Sequence, residues 1–145
     1  NIDGKVSVRN ATFSNHSQLF SQSGTGEFRL ANSLVEVRTF GDMPFCSGAL
    51  TSGSFNAIGG SGGGLFDFLS GCGFTPTTAD EAGVRMVLGS LQDSGGPTRT
   101  VALREPFEDS PYFDPIDMGG VLCPDTDQRG NPRDDRQCDP GAFEF

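Results

Sequence analysis

Apolar and polar residues alternate along two segments near the start of the chain. Residues 5–13 read KVSVRNATF, and residues 27–35 read EFRLANSLV. A period of two residues is typical of a strand that buries one face. Superposed at a spacing of 22 residues, the segments match apolar with apolar positions: Val6 on Phe28, Val8 on Leu30 and Phe13 on Val35. The pattern therefore predicts short strands that repeat along the chain.

An asparagine recurs at one place in this repeat. Asn10 superposes on Asn32, and a third, shorter copy over residues 54–58 places Asn56 another 24 residues along. Strand repeats of about 20–25 residues with a recurring turn residue favour the stacked coils of a parallel β-helix. Asparagine tolerates left-handed backbone geometry at a bend, and stacked amide side chains hydrogen-bond between coils. We expect the three asparagines to form such a ladder.

Glycine and proline are abundant, at 21 and 9 of the 145 residues. So much glycine excludes a helical bundle, and no segment approaches the roughly 18 consecutive apolar residues of a transmembrane helix. Residues 79–91 form the one stretch with a helical pattern, kept short by Gly83 and Gly89. The glycine-rich residues 59–64 predict an exposed loop, because Leu65 follows them where a phosphate-binding loop would continue with Gly-Lys-Ser/Thr.

Charge divides the chain into two parts. Residues 1–104 hold eight acidic and seven basic residues, whereas residues 105–145 hold eleven acidic and three basic ones, so the second part carries nearly all of the net charge of −9. We predict coils of a β-helix, with the glycine-rich loop, over 1–104 and a capping segment of the same domain over 105–145. Lys5 and nine scattered arginines predict no basic patch and no nucleic-acid partner.

The four cysteines are Cys46, Cys72, Cys123 and Cys138. They form no CxxC pair, and with a single histidine in the chain a zinc site is poorly supported. Two disulfides in an oxidising compartment are the better interpretation. Four cysteines allow three pairings, of which proximity favours Cys46–Cys72 and Cys123–Cys138. We expect an exported chain at the cell surface, outside the cell or in the periplasm, cut from a longer protein.

Acidic and basic residues cluster near the end of the chain. Arg129 and Arg133 are suited to bidentate ion pairs, for which Asp127 and Asp139 are the expected partners. A Ca²⁺ ion is the alternative interpretation, since it needs six to eight oxygen ligands. No other cofactor is expected. The candidate calcium ligands are Asp125, Asp127, Asp134, Asp135 and Asp139.

Residues suited to catalysis are few. His16 is the only histidine and lies in a polar, turn-like run without the context of a nucleophilic serine. Sugar-cleaving grooves need carboxylates that project side by side. In residues 1–104 the acids are single and scattered, a poor supply for such a groove: Asp3, Glu27, Glu36, Asp42 and Asp67. The chain is therefore predicted to have no enzymatic activity.

Motifs in the second half carry a family resemblance. LGSLQDSGGPTRTVAL, CPDTDQRGNPR and CDPGAFE closely resemble consecutive motifs near the end of bacterial exported β-helix surface proteins, the choice-of-anchor or CSLREA type, related in style to polymorphic outer-membrane proteins. Upstream, residues 42–60 and 70–72 resemble earlier motifs of the same proteins. The matching segments are Leu88–Leu103, Asp109–Gly119, Cys123–Arg133 and Cys138–Glu144.

The resemblance implies an all-β fold, a right-handed single-stranded parallel β-helix that ends in a loop-rich, disulfide-stapled cap. We expect Phe143 or Phe145 to fill the end of its core. The implied function is that of a noncatalytic structural or adhesive module, whose faces and loops (14–26 and 59–64) contact protein, glycan or sister subunits. Two alternatives stay open. The chain supports the groove of a carbohydrate-active β-helix, or it is an accessory subunit of an envelope or filamentous assembly.

Overall fold

The computed structural model describes residues 4–16, 20–21, 25–37, 46–59, 73–86, 88–104, 113–120, 123–133 and 137–145. Within these ranges the chain is all-β: it forms eleven strands and no helix, and so no helix that spans a membrane. The strands are β1 Lys5–Arg9, β2 Thr12–His16, β3 Phe20–Ser21, β4 Glu27–Ala31, β5 Leu34–Val37, β6 Cys46–Ser47, β7 Ala49–Ser52, β8 Ala57–Gly59, β9 Glu81–Val84, β10 Leu91–Gln92 and β11 Thr100–Val101.

Two parallel sheets organise the chain. Sheet 1 has the order β1-β4-β7, and sheet 2 has the order β2-β5-β8-β9. The register pairs Val6 with Phe28, Val8 with Leu30 and Phe13 with Val35, which confirms the superposition made from the sequence. Residues 5–16, 27–37 and 49–59 thus form three repeats, each with one strand in each sheet. A parallel pair β3-β6 and an antiparallel pair β10-β11 complete the strands.

The prediction of a helical stretch over residues 79–91 is wrong. Strand β9 pairs in parallel with β8 and extends sheet 2, and β10 pairs with β11. Gly83 adopts φ +79°, a conformation outside the helical region. Pairing with the exposed edge of β8 therefore determines the structure of this segment.

The turns between the two sheets use left-handed backbone geometry. Asn10 has φ +50° and Asn32 has φ +48°, as the sequence predicts. In the third repeat this geometry falls on Ser54 and Phe55, because the turn there is one residue longer and Ala57 pairs with Leu34. Asn56 consequently lies beside Ser33, and its predicted alignment with Asn32 is wrong.

A hydrogen-bond ladder links these turns, but its residues differ from those predicted. Ser33 Oγ accepts the Ala11 N–H at 3.2 Å, and Asn56 Oδ1 accepts the Ser33 N–H at 3.1 Å. Asp80 Oδ1 accepts the Asn56 N–H at 2.9 Å. Each repeat thus offers a side-chain oxygen to the backbone of the repeat before it. A serine, an asparagine and an aspartate can each accept such a hydrogen bond, since each has an acceptor oxygen close to its own backbone.

Sheet 2 is covered on both faces. Neighbouring residues of a strand point to opposite sides of a sheet, and in β5 Leu34 and Val35 belong to different apolar clusters. The inner cluster lies between the sheets and contains Leu30, Val35, Val37, Cys46, Leu50, Ile58 and Phe74. The outer cluster contains Leu34, Ala57, Met86, Leu88 and Leu103, with Phe143 packed against it. All four residues of β5 are therefore buried, as expected for a strand between two layers.

The C-terminal segment, of which residues 113–120, 123–133 and 137–145 are described, lies along sheet 2 and contacts all three repeats. Gly141 N donates to Asn32 O at 2.8 Å, and Ala142 N donates to Thr12 Oγ1 at 3.0 Å. The Phe55 ring lies so close to Gly120 that a β-carbon would not fit there. Phe145 is 64% exposed, so the prediction that it fills the core is wrong, whereas Phe143 packs in the outer cluster.

Candidate functional site

Asp127 organises the C-terminal segment. Its Oδ1 accepts the N–H groups of Arg129 at 2.7 Å and Asn131 at 3.0 Å, and its Oδ2 accepts the Glu144 N–H at 3.1 Å and Arg129 Nε at 2.7 Å. Burial raises the pKa of Asp127, but these hydrogen bonds outweigh it and hold the pKa below its ordinary value. The Arg129 guanidinium also stacks on Phe143, 3.6 Å from the ring centre.

Arg133 and Glu144 form a second, buried pair. The guanidinium of Arg133 binds the Glu144 carboxylate and donates to the backbone oxygens of Asp139 at 2.7 Å and Gly141 at 2.8 Å. Asp139, one of the two carboxylates expected to pair with Arg129 and Arg133, accepts backbone N–H groups from Asp117 at 2.7 Å and Phe145 at 2.6 Å. These side chains bind backbone donors in a segment whose described part has no named strand beyond residue 101.

The predicted Cys123–Cys138 disulfide is present, with the Cα atoms 6.3 Å apart. Asn32 connects it to the repeats: its Nδ2 donates to Cys123 Sγ at 3.3 Å, and its Oδ1 accepts the Gly120 N–H at 3.0 Å. Cys46 is disulfide-bonded and fully buried in the inner cluster. Its expected partner, Cys72, lies outside the described residues.

The proposed calcium ligands do not converge where the structure describes them. Asp127 and Asp139 direct their oxygens at N–H groups, and Asp125 is exposed. Within the described ranges no three His, Cys, Asp or Glu side chains lie close enough to hold a metal ion. Asp134 and Asp135 lie outside these ranges. The carboxylates of Asp127 and Asp139 thus accept hydrogen bonds from backbone N–H groups and satisfy these donors.

The two described acids among those considered for catalysis, Glu27 and Glu36, lie on different sheets. Glu27 lies on the outer face of sheet 1, while Glu36 lies beside Leu34 on the outer side of sheet 2, where it accepts from Ser14 Oγ. His16 pairs with Val37 at a register shift of β2. Asp3, Asp42 and Asp67, like residues 60–64 of the glycine-rich loop, lie outside the described residues. Glu27 and Glu36 are therefore not paired carboxylates.

Sheet 1 carries a pocket that the sequence did not predict. It is shallow and open, has a volume of about 320 Å³ and forms on the outer side of β1 and β4. We call it the basic pocket. Its lining residues are Lys5, Val6, Ser7, Arg9, Glu27 and Arg29.

The charges of the basic pocket are unevenly partnered. Glu27 binds Lys5 at 3.0 Å and accepts from Thr51 Oγ1 at 2.8 Å, and these hydrogen bonds lower its pKa. Arg9 and Arg29 form no ion pair with the acidic groups that the structure describes. The described lining residues thus carry three positive charges and one negative charge, on a chain whose net charge is −9.

The repeat explains why Arg9 and Arg29, scattered in the sequence, lie in one pocket of sheet 1. Arg9 and Arg29 are 20 residues apart in sequence, but β1 and β4 are adjacent strands, with Ser7 paired to Arg29. From strand geometry, their Cα atoms are about 8 Å apart. The 22-residue superposition that predicts the core also places the outward positions of β1 and β4 side by side. The pocket could therefore have been predicted from its charged outward residues, which are Lys5, Arg9, Glu27 and Arg29.

Comparisons with known proteins provide no name for this arrangement. No protein-family model matches the chain, and no curated protein or solved structure is detectably similar to it.

Proposed function

We propose that the chain is a noncatalytic structural and adhesive module of an exported bacterial surface protein, built from the C-terminal coils of a right-handed parallel β-helix. The observation that carries this proposal is the parallel stacking of three repeats at spacings of 21–23 residues in both sheets. A connection between parallel strands of one sheet is nearly always right-handed. The resemblance of the terminal motifs to those of β-helix surface proteins supports the same conclusion.

The mechanism of such a module is geometric. Stacked strands and a covered sheet 2 make a stiff body, and stiffness allows exposed faces to bind without a large entropic cost. Sheet 1 presents its outer face, including the basic pocket, to the surroundings. The Cys123–Cys138 disulfide supports an oxidising compartment, as expected outside the cytoplasm. The separation of Glu27 from Glu36 supports a noncatalytic role.

Two measurements test the proposal. A crystal structure should show right-handed connections from each repeat to the next. The purified chain, incubated with acidic and neutral polysaccharides, should release no reducing ends and no unsaturated products. Left-handed connections would contradict the proposed fold. Turnover that disappears in Glu27→Gln or Glu36→Gln, while Glu81→Gln retains it, would contradict the noncatalytic role, since exposed Glu81 serves as the matched control.

A further inference from the structure

We propose that the basic pocket binds a linear acidic polysaccharide through its carboxylate groups, with Arg9 and Arg29 as the recognising residues. This inference rests on the proposed adhesive function and names its ligand class. Guanidinium groups bind carboxylates with two parallel hydrogen bonds, and exposed arginines without an acidic partner are available for them. Arg9 and Arg29 are both exposed and have no ion-pair partner among the described acidic groups.

The shape of the pocket favours an extended ligand. It lies open on the outer side of two neighbouring strands, where outward side chains repeat about every 7 Å along a strand and about 5 Å between strands. Such a row of donors suits a polymer with regularly repeated charges better than a small molecule, which needs an enclosed cleft. Ser7 lies between Lys5 and Arg9 on β1 and provides a hydroxyl group for sugar hydroxyls.

The residues that line the pocket favour a glycan over other anionic polymers as its ligand. None of its described lining residues is aromatic, so these residues offer no platform on which nucleic-acid bases stack. Three cationic side chains on a chain of net charge −9 also attract the phosphate groups of a nucleic acid only weakly. Val6 is the one apolar residue among the described lining residues, whereas protein interfaces depend on buried apolar and aromatic anchors. A polymer of hydroxyls and carboxylates matches the cationic and hydroxyl side chains of this lining.

Binding of oligogalacturonate, a carboxylated sugar polymer, tests the proposal by isothermal titration calorimetry at low salt. The Arg9→Gln/Arg29→Gln variant should bind about tenfold more weakly or worse. Arg99→Gln/Arg104→Gln removes two exposed arginines elsewhere and should bind like the unchanged chain. Fully methyl-esterified oligogalacturonate, which keeps the sugar backbone without the charges, should not bind. Circular dichroism checks that both variants are folded.

Each contrary result overturns a defined part of the proposal. Equal loss in the two double variants would show attraction to net charge without a site. Binding of a sulfated glycan but not of oligogalacturonate would exclude the carboxylate assignment. Equal or tighter binding of poly-glutamate would assign the pocket to acidic protein, and no binding of any probe would exclude an anion site. All of these leave the structural role intact, whereas turnover of a bound polysaccharide would contradict the noncatalytic role and leave the site intact.

Discussion

The repeats and the C-terminal segment solve the same problem by different means. Both must satisfy buried backbone N–H and C=O groups. The repeats pair strand with strand in two parallel sheets, whereas the described part of the C-terminal segment has a single isolated bridge, Thr126 to Pro132. Some of its backbone donors bind backbone oxygens, as Gly141 N binds Asn32 O, and others bind the carboxylates of Asp127, Asp139 and Glu144. The irregular segment is therefore held by a few side chains in addition to its backbone hydrogen bonds.

The two solutions differ in how they distribute stability. Removing one residue of a strand ladder leaves its neighbours paired, because the ladder consists of many equivalent bonds. A carboxylate that accepts four donors concentrates the same number of bonds in one side chain. Single substitutions should therefore lower the free energy of unfolding more in the C-terminal segment than in the repeats.

Replacing Asp127 with alanine should have the largest effect. The change removes the acceptor of three backbone N–H groups and leaves the Arg129 guanidinium without its carboxylate. Breaking such a buried pair costs about 3–5 kcal/mol. Chemical denaturation monitored by circular dichroism measures the loss. Exposed Asp125 makes the matched control, and Asp125→Ala should change the free energy of unfolding by less than about 0.5 kcal/mol. Similar losses in both variants would contradict the central role of Asp127.

The Cys123→Ala/Cys138→Ala variant should lose about 3 kcal/mol, because the disulfide closes a loop of 15 residues. A double variant is needed, since reduction would also break the disulfide of Cys46. Hydrogen exchange should show the amides of Gly141 and Ala142 losing protection before those of β4. Equal loss of protection in both places would mean that the C-terminal segment and the repeats unfold as one unit.

The alternation of residues predicted the repeats, but the recurring asparagines predicted the wrong residues for the ladder between them. Val8 and Leu30 pair as the superposition requires, because a period of two fixes both the strand and its inward face. The residues of the ladder escaped prediction because Ser33, Asn56 and Asp80 share a geometric position without sharing chemistry, and one turn is a residue longer.

The C-terminal segment has no period from which to predict it. Its motifs predicted a family resemblance, which stays a prediction, and sequence proximity predicted the disulfide, which is present. Neither indicated that Gly141 lies against Thr12 and Leu34 of sheet 2, because that contact joins residues more than 100 positions apart. The basic pocket was missed for a related reason. Its charges are dispersed in sequence and meet only when β1 and β4 pair.

Asp80 provides an acid-sensitive test within the ladder. Burial raises its pKa, but hydrogen bonds from Ser52, Asn56 and Thr77 outweigh this and keep the pKa below its ordinary value. A lowered folded-state pKa gives stability that is present above the unfolded-state pKa of about 4 and is lost as the pH falls through the folded value. Asp80→Asn should cost about 2 kcal/mol at pH 7, and its stability should fall less on acidification to about pH 2.

Denaturation midpoints of the unchanged chain and the Asp80→Asn variant, compared between neutral and acidic pH, measure this difference. Glu81→Gln removes an exposed carboxylate from the neighbouring position and should leave the acid-induced loss unchanged. If Asp80→Asn loses stability with the same pH dependence as the unchanged chain, the charge of Asp80 does not stabilise the ladder. The remaining loss in either variant should come in part from Asp127, whose pKa is also lowered.

The smallest effect should come from the place where the two regions meet. Asn10 and Asn32 have nearly the same left-handed φ, +50° and +48°, so replacement with glycine changes the backbone preference equally at both sites. Only Asn32 holds the C-terminal segment, through Gly120 N and Cys123 Sγ, whereas Asn10 Oδ1 has no hydrogen-bond partner in the described structure. Asn32→Gly should therefore be about 1 kcal/mol less stable than Asn10→Gly.

A combined variant tests whether Asn32 acts through the disulfide. In the Cys123→Ala/Cys138→Ala background, Asn32→Gly should lower the free energy of unfolding by less than it does alone, because the hydrogen bond from Asn32 to Cys123 Sγ is already absent. Full additivity would mean that Asn32 acts only within its own turn, and the two regions would then be joined by the backbone contacts of Gly141 and the outer cluster.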